Sequence, residues 1–127
     1  MSVTFAQGFS AAGVVAGISS VEGKKDLALV VNNGPLDAVA GVFTSNRFCA
    51  APVQWSRKAV ADGHAKAVIL NSGGANACTG EAGYQQSVST AEAVAELVGA
   101  QAEDVAVCST GLIGELLPFC LLYTSDA

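Results

Sequence analysis

The chain has 127 residues, with six Lys and Arg against eleven Asp and Glu, and a formal net charge of −5 at pH 7. This length fits a single domain of about 100–150 residues. Because 51% of the residues are apolar and only 13% are charged, the composition excludes intrinsic disorder. The acidic balance, without a basic cluster, argues against nucleic acid and against anionic membrane surfaces as partners.

The N-terminal region predicts neither a secretory signal nor a membrane anchor. Its apolar stretch, residues 11–18, follows no Lys or Arg and is interrupted by Gly13 and Gly17. A secretory signal needs a charged region before a continuous apolar core. No apolar run approaches the ~20 residues of a membrane span. We therefore expect a cytoplasmic protein.

The cysteines predict no metal site. They form no CxxC pair and no Cys/His cluster with zinc spacing. The surrounding sequence resembles a protein core, as in residues 105–108, which favours buried free thiols in a reducing cytosol over two disulfides. The four residues are Cys49, Cys78, Cys108 and Cys120.

The first half of the chain contains two apolar runs, residues 27–31 and 39–43. They flank Asn32, Asn33, Gly34 and Pro35, which are frequent turn formers. This pattern predicts two strands joined by a turn.

The second half of the chain has the pattern of alternating helices and strands. Residues 56–62 predict a short helix ended by Gly63, and a helical apolar stripe over 88–98 ends at Gly99. Residues 67–70 and 105–108 are continuous apolar runs typical of strands buried on both faces. The order is helix, strand, loop, helix, strand, loop, which predicts an α/β fold.

Each of these two predicted strands is followed by a hydroxyl residue and a glycine, in residues 71–73 and 109–111. Ligands of open α/β sheets collect beyond the carboxyl ends of the strands. The two segments are therefore the candidate site.

The glycine-rich segment 71–80 does not match a phosphate-binding loop. Such a loop needs Gly-Lys-Ser/Thr at its end, but here Glu81 follows Gly80 and would repel phosphate. The segment could orient a polar ligand through its amides and asparagines. The structural interpretation, in which Asn71 and Asn76 satisfy backbone groups in a tight connection, is favoured.

Residues 109–114 suggest a site for acyl transfer. Gly111 has no Cβ to keep its amide from a reacting carbonyl, and the Thr110 hydroxyl can donate beside it. Two donors aimed at a developing oxyanion are what acyl transfer requires. The alternative is a helix N-cap formed by Ser109 or Thr110, and the residues alone do not decide between them.

No complete catalytic set is present. A Gly-x-Ser-x-Gly nucleophile elbow does not occur. His64, the only histidine, is expected to be solvated or to lie at a helix C-terminus. A Cys78–His64 pair stays open, but no activating environment accompanies it. Glu92 and Glu96 are expected on a solvated helix face.

Four motifs together resemble the ArgJ family of bifunctional ornithine acetyltransferase / N-acetylglutamate synthases. In chain order they are GFSAAGV (8–14), GVFTSN (41–46), NSGGANACTG (71–80) and STGLIGELLP (109–118). The resemblance covers about residues 5–118. Each motif alone is weak, but four in register are highly specific.

The resemblance implies an enzyme that transfers an acetyl group from N-acetylornithine to glutamate, with acetyl-CoA as a further donor in many members and no cofactor or metal. Such precursors cleave themselves before a Thr, which becomes the nucleophile of the β chain and carries the acetyl group. Thr110 and Gly111 match the family's oxyanion hole. The family fold is α/β with layered sheets and helices, incomplete in this chain, and two α and two β chains assemble. The role of residues 71–80 is not assigned.

The chain also departs from the family pattern. It lacks the Ala-Thr-Met-Leu segment that carries the nucleophile, and Thr124 has neither its context nor its distance. We therefore expect residues 1–118 to be an N-terminal part of the α chain, inactive alone, and residues 119–127 to be a non-native tail. The alternatives are a self-processing DmpA-type aminopeptidase fragment and a non-catalytic small-molecule-binding domain.

Overall fold

The computed structural model describes residues 2–118 and 120. Its strands are β1 (Phe9–Val14), β2 (Leu27–Asn32), β3 (Ala67–Gly74) and β4 (Val105–Leu112). Its α-helices are α1 (Ala51–Ala59) and α2 (Gly80–Val98), and short 3-10 helices cover Val3–Phe5 and Ala102–Asp104. The predicted tail, with Thr124, lies outside the described residues apart from Cys120, so its boundary stays a prediction.

The strands form one mixed sheet in the order β1-β2-β3-β4. The pairs β1–β2 and β2–β3 are antiparallel, whereas β3 and β4 are parallel. Parallel neighbours need a crossover connection, and α2 supplies it here. The predicted α/β class is confirmed.

Both α-helices pack against one face of the sheet. Alternate side chains of a strand share a face, and in β2, β3 and β4 the odd-numbered residues meet the helices. The buried cluster consists of Trp55, Ala59, Ala67, Ile69, Ala91, Val94, Ala95, Val105 and Val107. The opposite face carries mainly small and apolar side chains, of which Leu70 remains 37% exposed.

The helix boundaries follow local signals, one of which the sequence analysis overlooked. Helix α1 begins at Ala51, five residues before the predicted start, because Pro52 in its first turn is already suited to helical φ. Helix α2 ends as predicted, since Gly99 adopts the left-handed conformation with φ 68° and ψ 42°. No helix in the described part of the chain is long and apolar enough to cross a membrane.

The predicted strand at residues 39–43 is wrong. That segment has no regular structure, and nearby Ala38 forms only an isolated bridge with His64. The partner of β2 on this side is β1, through pairs such as Ala11 with Val30. β1 is rich in alanine and glycine, which have little intrinsic preference for strands, so its sequence gave a weak signal.

The predicted strands at 67–70 and 105–108 exist but are longer than predicted. The ladder between β3 and β4 runs on through Ser72 with Thr110 and Gly74 with Leu112. The candidate segments are therefore strand ends rather than loops.

Cys49, Cys78 and Cys108 are free thiols, but the prediction that the cysteines are buried is wrong. Cys78, Cys108 and Cys120 are exposed, and Cys49 is half-buried.

Candidate functional site

Thr110 and Gly111 lie in the last part of β4, beside Ser72 and Gly73 of β3. Both are exposed. The chain stays extended through Leu112 and then bends without entering a helix, so the N-cap interpretation of Ser109 and Thr110 is wrong. The hydroxyl and amide of the Thr-Gly pair are instead presented by a strand of the sheet.

Two glycines let three backbone segments stack at this point. Gly73 and Gly111 have φ values of +115° and +133°. A Cβ on Gly111 would collide with the backbone carbonyl of Gly73, and a Cβ on Gly73 would lie 2.8 Å from the carbonyl of Ile18. Glycine is therefore required at both positions by packing, a reason that differs from the open approach predicted for Gly111.

Asp26 fixes the loop against which Gly73 packs. Its side chain accepts hydrogen bonds of 2.7 Å from the backbone N–H groups of Ala16 and Ser19, and the residue is only 3% exposed. Burial raises the pKa of Asp26, but the hydrogen bonds from Ser19, Ala16 and Ile18 outweigh it and hold the pKa below 3.8. Asp26 is therefore an ionised structural carboxylate.

A groove of ≈ 420 Å³ adjoins Thr110. This volume is within the range of small-molecule sites, about 300–1,000 Å³. Its lining includes polar and charged residues from three strand ends: Lys25, Asp26, Asn71, Ser72, Ser109 and Thr110. The groove therefore places the Thr110 hydroxyl beside a space of ligand size.

Cys108 lines the same groove, but its thiol is not activated. Partial burial of the sulfur raises the pKa of Cys108, although the residue as a whole is exposed. A raised pKa decreases the thiolate fraction at neutral pH. Cys108 is thus poorly suited to act as a nucleophile.

The asparagines of segment 71–80 satisfy backbone groups, as the structural interpretation predicts. Asn71 donates to the Gly74 carbonyl at 2.9 Å, and Asn76 donates to the Gly83 carbonyl at 2.9 Å. Asn76 is 1% exposed, and its oxygen accepts a hydrogen bond of 2.7 Å from Thr79. These contacts connect the end of β3 to the first turns of α2.

His64 is a surface residue paired with an aspartate. Its Nδ1 lies 2.8 Å from Oδ1 of Asp37, and both side chains are more than half exposed. The hydrogen bond with Asp37 raises the pKa of His64, and the same bond lowers the pKa of Asp37. The expectation of a solvated histidine is confirmed, and its ring engages Asp37 rather than Cys78.

Two residues important for the site were missed by the sequence analysis. Besides Asp26, Ser56 of α1 bonds the backbone of β4: its Oγ donates to the Val107 carbonyl at 2.7 Å and accepts from the Val107 N–H at 2.9 Å. Asp26 stands directly before the apolar run 27–31, which is a weak signal, whereas nothing in the sequence around Ser56 marks its role. In the described ranges, no group of three His, Cys, Asp or Glu side chains could hold a metal ion.

The structure thus defines an α/β protein with a ligand-sized groove beside a strand-borne Thr-Gly pair. A model of the ArgJ family matches residues 10–124, and the chain belongs to this family. The prediction of the family is confirmed.

Named relatives agree with this assignment. The chain is 90% identical over 118 residues to the arginine biosynthesis bifunctional protein ArgJ of Bifidobacterium longum, and 61% identical over 118 residues to that of Streptomyces coelicolor. In both cases the match covers 93% of this chain and 30% of the relative. The chain thus spans about a third of the length of these proteins.

Solved structures show the same fold. The ornithine acetyltransferase of Mycobacterium tuberculosis, crystallised in complex with ornithine, has a TM-score of 0.89 and 55% identity, covering 92% of this chain and 63% of that chain. The arginine biosynthesis bifunctional protein ArgJ of Bacillus halodurans has a TM-score of 0.90 and 40% identity, covering 97% and 63%.

Proposed function

We propose that this chain supplies the oxyanion hole of an acetyltransferase in arginine biosynthesis, with Thr110 and Gly111 as the two donors. The reaction moves an acetyl group from N-acetylornithine to glutamate through an acetylated Thr that lies outside this chain. The observation that carries the proposal is the position of the Thr-Gly pair at the exposed end of β4, beside the ≈ 420 Å³ groove, in a member of the ArgJ family.

The geometry of β4 supports Gly111 as the second donor. Ser56 bonds the N–H and C=O of Val107 on the outer edge of the strand, the side away from β3. Backbone groups of alternate residues in a strand point to the same edge. The N–H of Gly111, four residues further along, is therefore directed to the outer edge, beyond the reach of Ser56.

The chemistry follows from these two donors. When the nucleophile attacks the acetyl carbonyl, the carbonyl oxygen gains negative charge. The Thr110 O–H and the Gly111 N–H donate hydrogen bonds to that oxygen. Such donors stabilise the transition state more than the ground state. The glycine stack of Gly73 and Gly111 keeps the backbone fixed, so the donors need little reorganisation during the reaction.

The rest of the machinery is proposed to come from the β chain in an assembly of two α and two β chains. The chain spans 30% of its curated relatives, and the Thr nucleophile is proposed to belong to the remainder. Acetyl-CoA is the second acetyl donor to test, and no cofactor is proposed. A reducing cytoplasm fits the free thiols of Cys49, Cys78 and Cys108.

The test is a chimera in which the 118 matching residues of this chain replace their counterpart in the Bifidobacterium longum protein. In that chimera, Thr110→Ala should lower kcat for acetyl transfer from N-acetylornithine to glutamate by about 10²–10³. KM should change little, because the hydroxyl acts mainly on the transition state.

The matched control is Thr4→Ala, which removes an exposed hydroxyl outside the groove and should retain kcat. If Thr110→Ala also retained kcat, the hydroxyl would not belong to the oxyanion hole.

A further inference from the structure

Ser109, the residue before Thr110, has a buried hydroxyl without a protein partner. Within residues 2–118 and 120, its Oγ is the single buried side-chain oxygen or nitrogen that makes no hydrogen bond. Val105 and Val107 of the same strand lie in the core with the helices, so alternation turns the Ser109 side chain toward α2. Buried hydroxyls in native proteins are nearly always satisfied, often by an ordered water molecule.

A small cavity adjoins this hydroxyl. Its volume is ≈ 10 Å³, at the lower limit of what one water molecule needs. Its polar lining comes from β3, β4, α2 and the segment between β3 and α2: Asn71, Asn76, Ser87, Thr90 and Ser109. A water molecule is stable in such a space when it finds two to four polar partners.

Two of these side chains have unused capacity for hydrogen bonds. Asn71 pairs with Ser109 across the β3–β4 ladder and is 8% exposed. It gives one of its two N–H groups to the Gly74 carbonyl, which leaves the second. Thr90 gives its hydroxyl proton to the Gln86 carbonyl at 2.7 Å, so its lone pairs can still accept.

We propose that Ser109 holds one buried water molecule that bridges β4 to β3 and α2. The water accepts hydrogen bonds from the Ser109 hydroxyl and from the second N–H of Asn71, and it donates to the Thr90 hydroxyl oxygen. Ser109 is thereby a positioning residue for Thr110 and Gly111, a role that rests on the proposed function of those two residues.

The position of Ser109 along β4 connects it to the placement of Thr110 and Gly111. The hydrogen bonds from α1 to the strand reach Val105 through Trp55 and Val107 through Ser56. Ser109 is the next residue that faces the helices. The water bridge is therefore the last polar link from β4 to the helices before the Thr-Gly pair.

Crystallography tests the water site directly. A structure of the chimera at a resolution that resolves solvent should show a density peak within hydrogen-bond distance of Ser109 Oγ and of Thr90 or Asn71. The peak should vanish in Ser109→Ala. A cavity without density in the unsubstituted chimera would overturn the proposal, whatever the activity.

Kinetics test the positioning role. Ser109→Ala should lower kcat about tenfold with little change in KM, and the double variant with Thr110→Ala should fall no further than Thr110→Ala alone. Such non-additivity is expected when one residue acts only through the other. Thr90→Val, which removes a water partner without altering β4, should also lower kcat.

The control is Ser10→Ala, which removes an exposed hydroxyl from β1 at the far side of the sheet and should leave kcat unchanged. Full activity of Ser109→Ala, or additive losses in the double variant, would overturn the positioning role. If Thr110→Ala itself kept full activity, the proposed function would fail, but the density peak would still decide the water site.

Discussion

Asp26 orders the loop that supports Gly73 and, through Gly73, the backbone at Gly111. The carboxylate fixes Ala16 and Ser19 through their backbone N–H groups. The backbone carbonyl of Asp26 accepts a hydrogen bond of 2.8 Å from the N–H of Ser72. Gly73 then packs on the loop and Gly111 packs on Gly73. The burial of this carboxylate is thus explained by the loop that it orders.

Asp26→Asn should lower the free energy of unfolding at pH 7 by about 1–3 kcal/mol. The amide keeps one acceptor but turns an N–H donor toward a backbone N–H. Urea unfolding of the chain can be followed by the fluorescence of Trp55, the only tryptophan, which is 2% exposed.

Asp26→Asn should also change how the free energy of unfolding depends on pH. The pKa of Asp26 is lower in the folded chain than the ordinary 3.8. The ionised carboxylate therefore contributes its full stabilisation above about pH 3.8. This stabilisation is lost as the pH falls through the folded-state pKa. The stability difference between the parent and Asp26→Asn should therefore shrink in acid. Glu22→Gln, an exposed change in the same loop, is the control; a difference that stayed constant into acid would contradict the assignment.

At the scale of elements, β4 is an edge strand of the sheet within residues 2–118, and side chains protect it. Edge strands leave backbone N–H and C=O groups unpaired, which invites association with other chains. Helix α1 covers part of this edge: the Trp55 indole donates to the Val105 carbonyl at 2.9 Å, and Ser56 bonds both backbone groups of Val107. The protected part ends where the candidate site begins.

Ser56→Ala should lower the free energy of unfolding by about 2–3 kcal/mol, because it leaves a buried N–H and a buried C=O without partners. Thermal or urea unfolding, again with Trp55 as the probe, measures the loss. Ser45→Ala, an exposed serine in the segment before α1, should be neutral. Equal stabilities of the two variants would show that water satisfies the Val107 groups.

The parts of this architecture that could be predicted are those with a local cause. Continuous apolar runs identified β3 and β4, and Gly99 marked the end of α2. The segment 39–43 is apolar but has no strand to pair with, since β1 and β3 occupy both edges of β2; Val42 is fully exposed. Thr110 and Gly111 were found through a motif. Asp26 acts on an irregular loop seven and ten residues before it, and Ser56 acts on backbone 51 residues after it, so no periodicity marks either residue.

At the scale of the whole molecule, the sheet has one face packed by helices and another that is still partly open. Leu70 on the open face is 37% exposed, and the ≈ 420 Å³ groove lies on the same side. An exposed apolar area of this kind, continuous with the groove, is typical of a surface that packs against further protein. Since the chain spans 30% of its relatives, we propose that the remainder of an ArgJ protein covers this face.

The isolated 127-residue chain should therefore give no acetyl transfer, because two hydrogen-bond donors cannot act without the nucleophile they serve. Incubation with N-acetylornithine and glutamate, with product measured by mass spectrometry, should match a buffer blank.

The chimera should restore turnover, because 90% identity over the matching residues preserves the packing against the rest of the protein. Melting of the isolated chain, followed by Trp55 fluorescence, separates an inactive fold from an unfolded chain. Turnover by the isolated chain above the blank would mean that a nucleophile lies within these 127 residues.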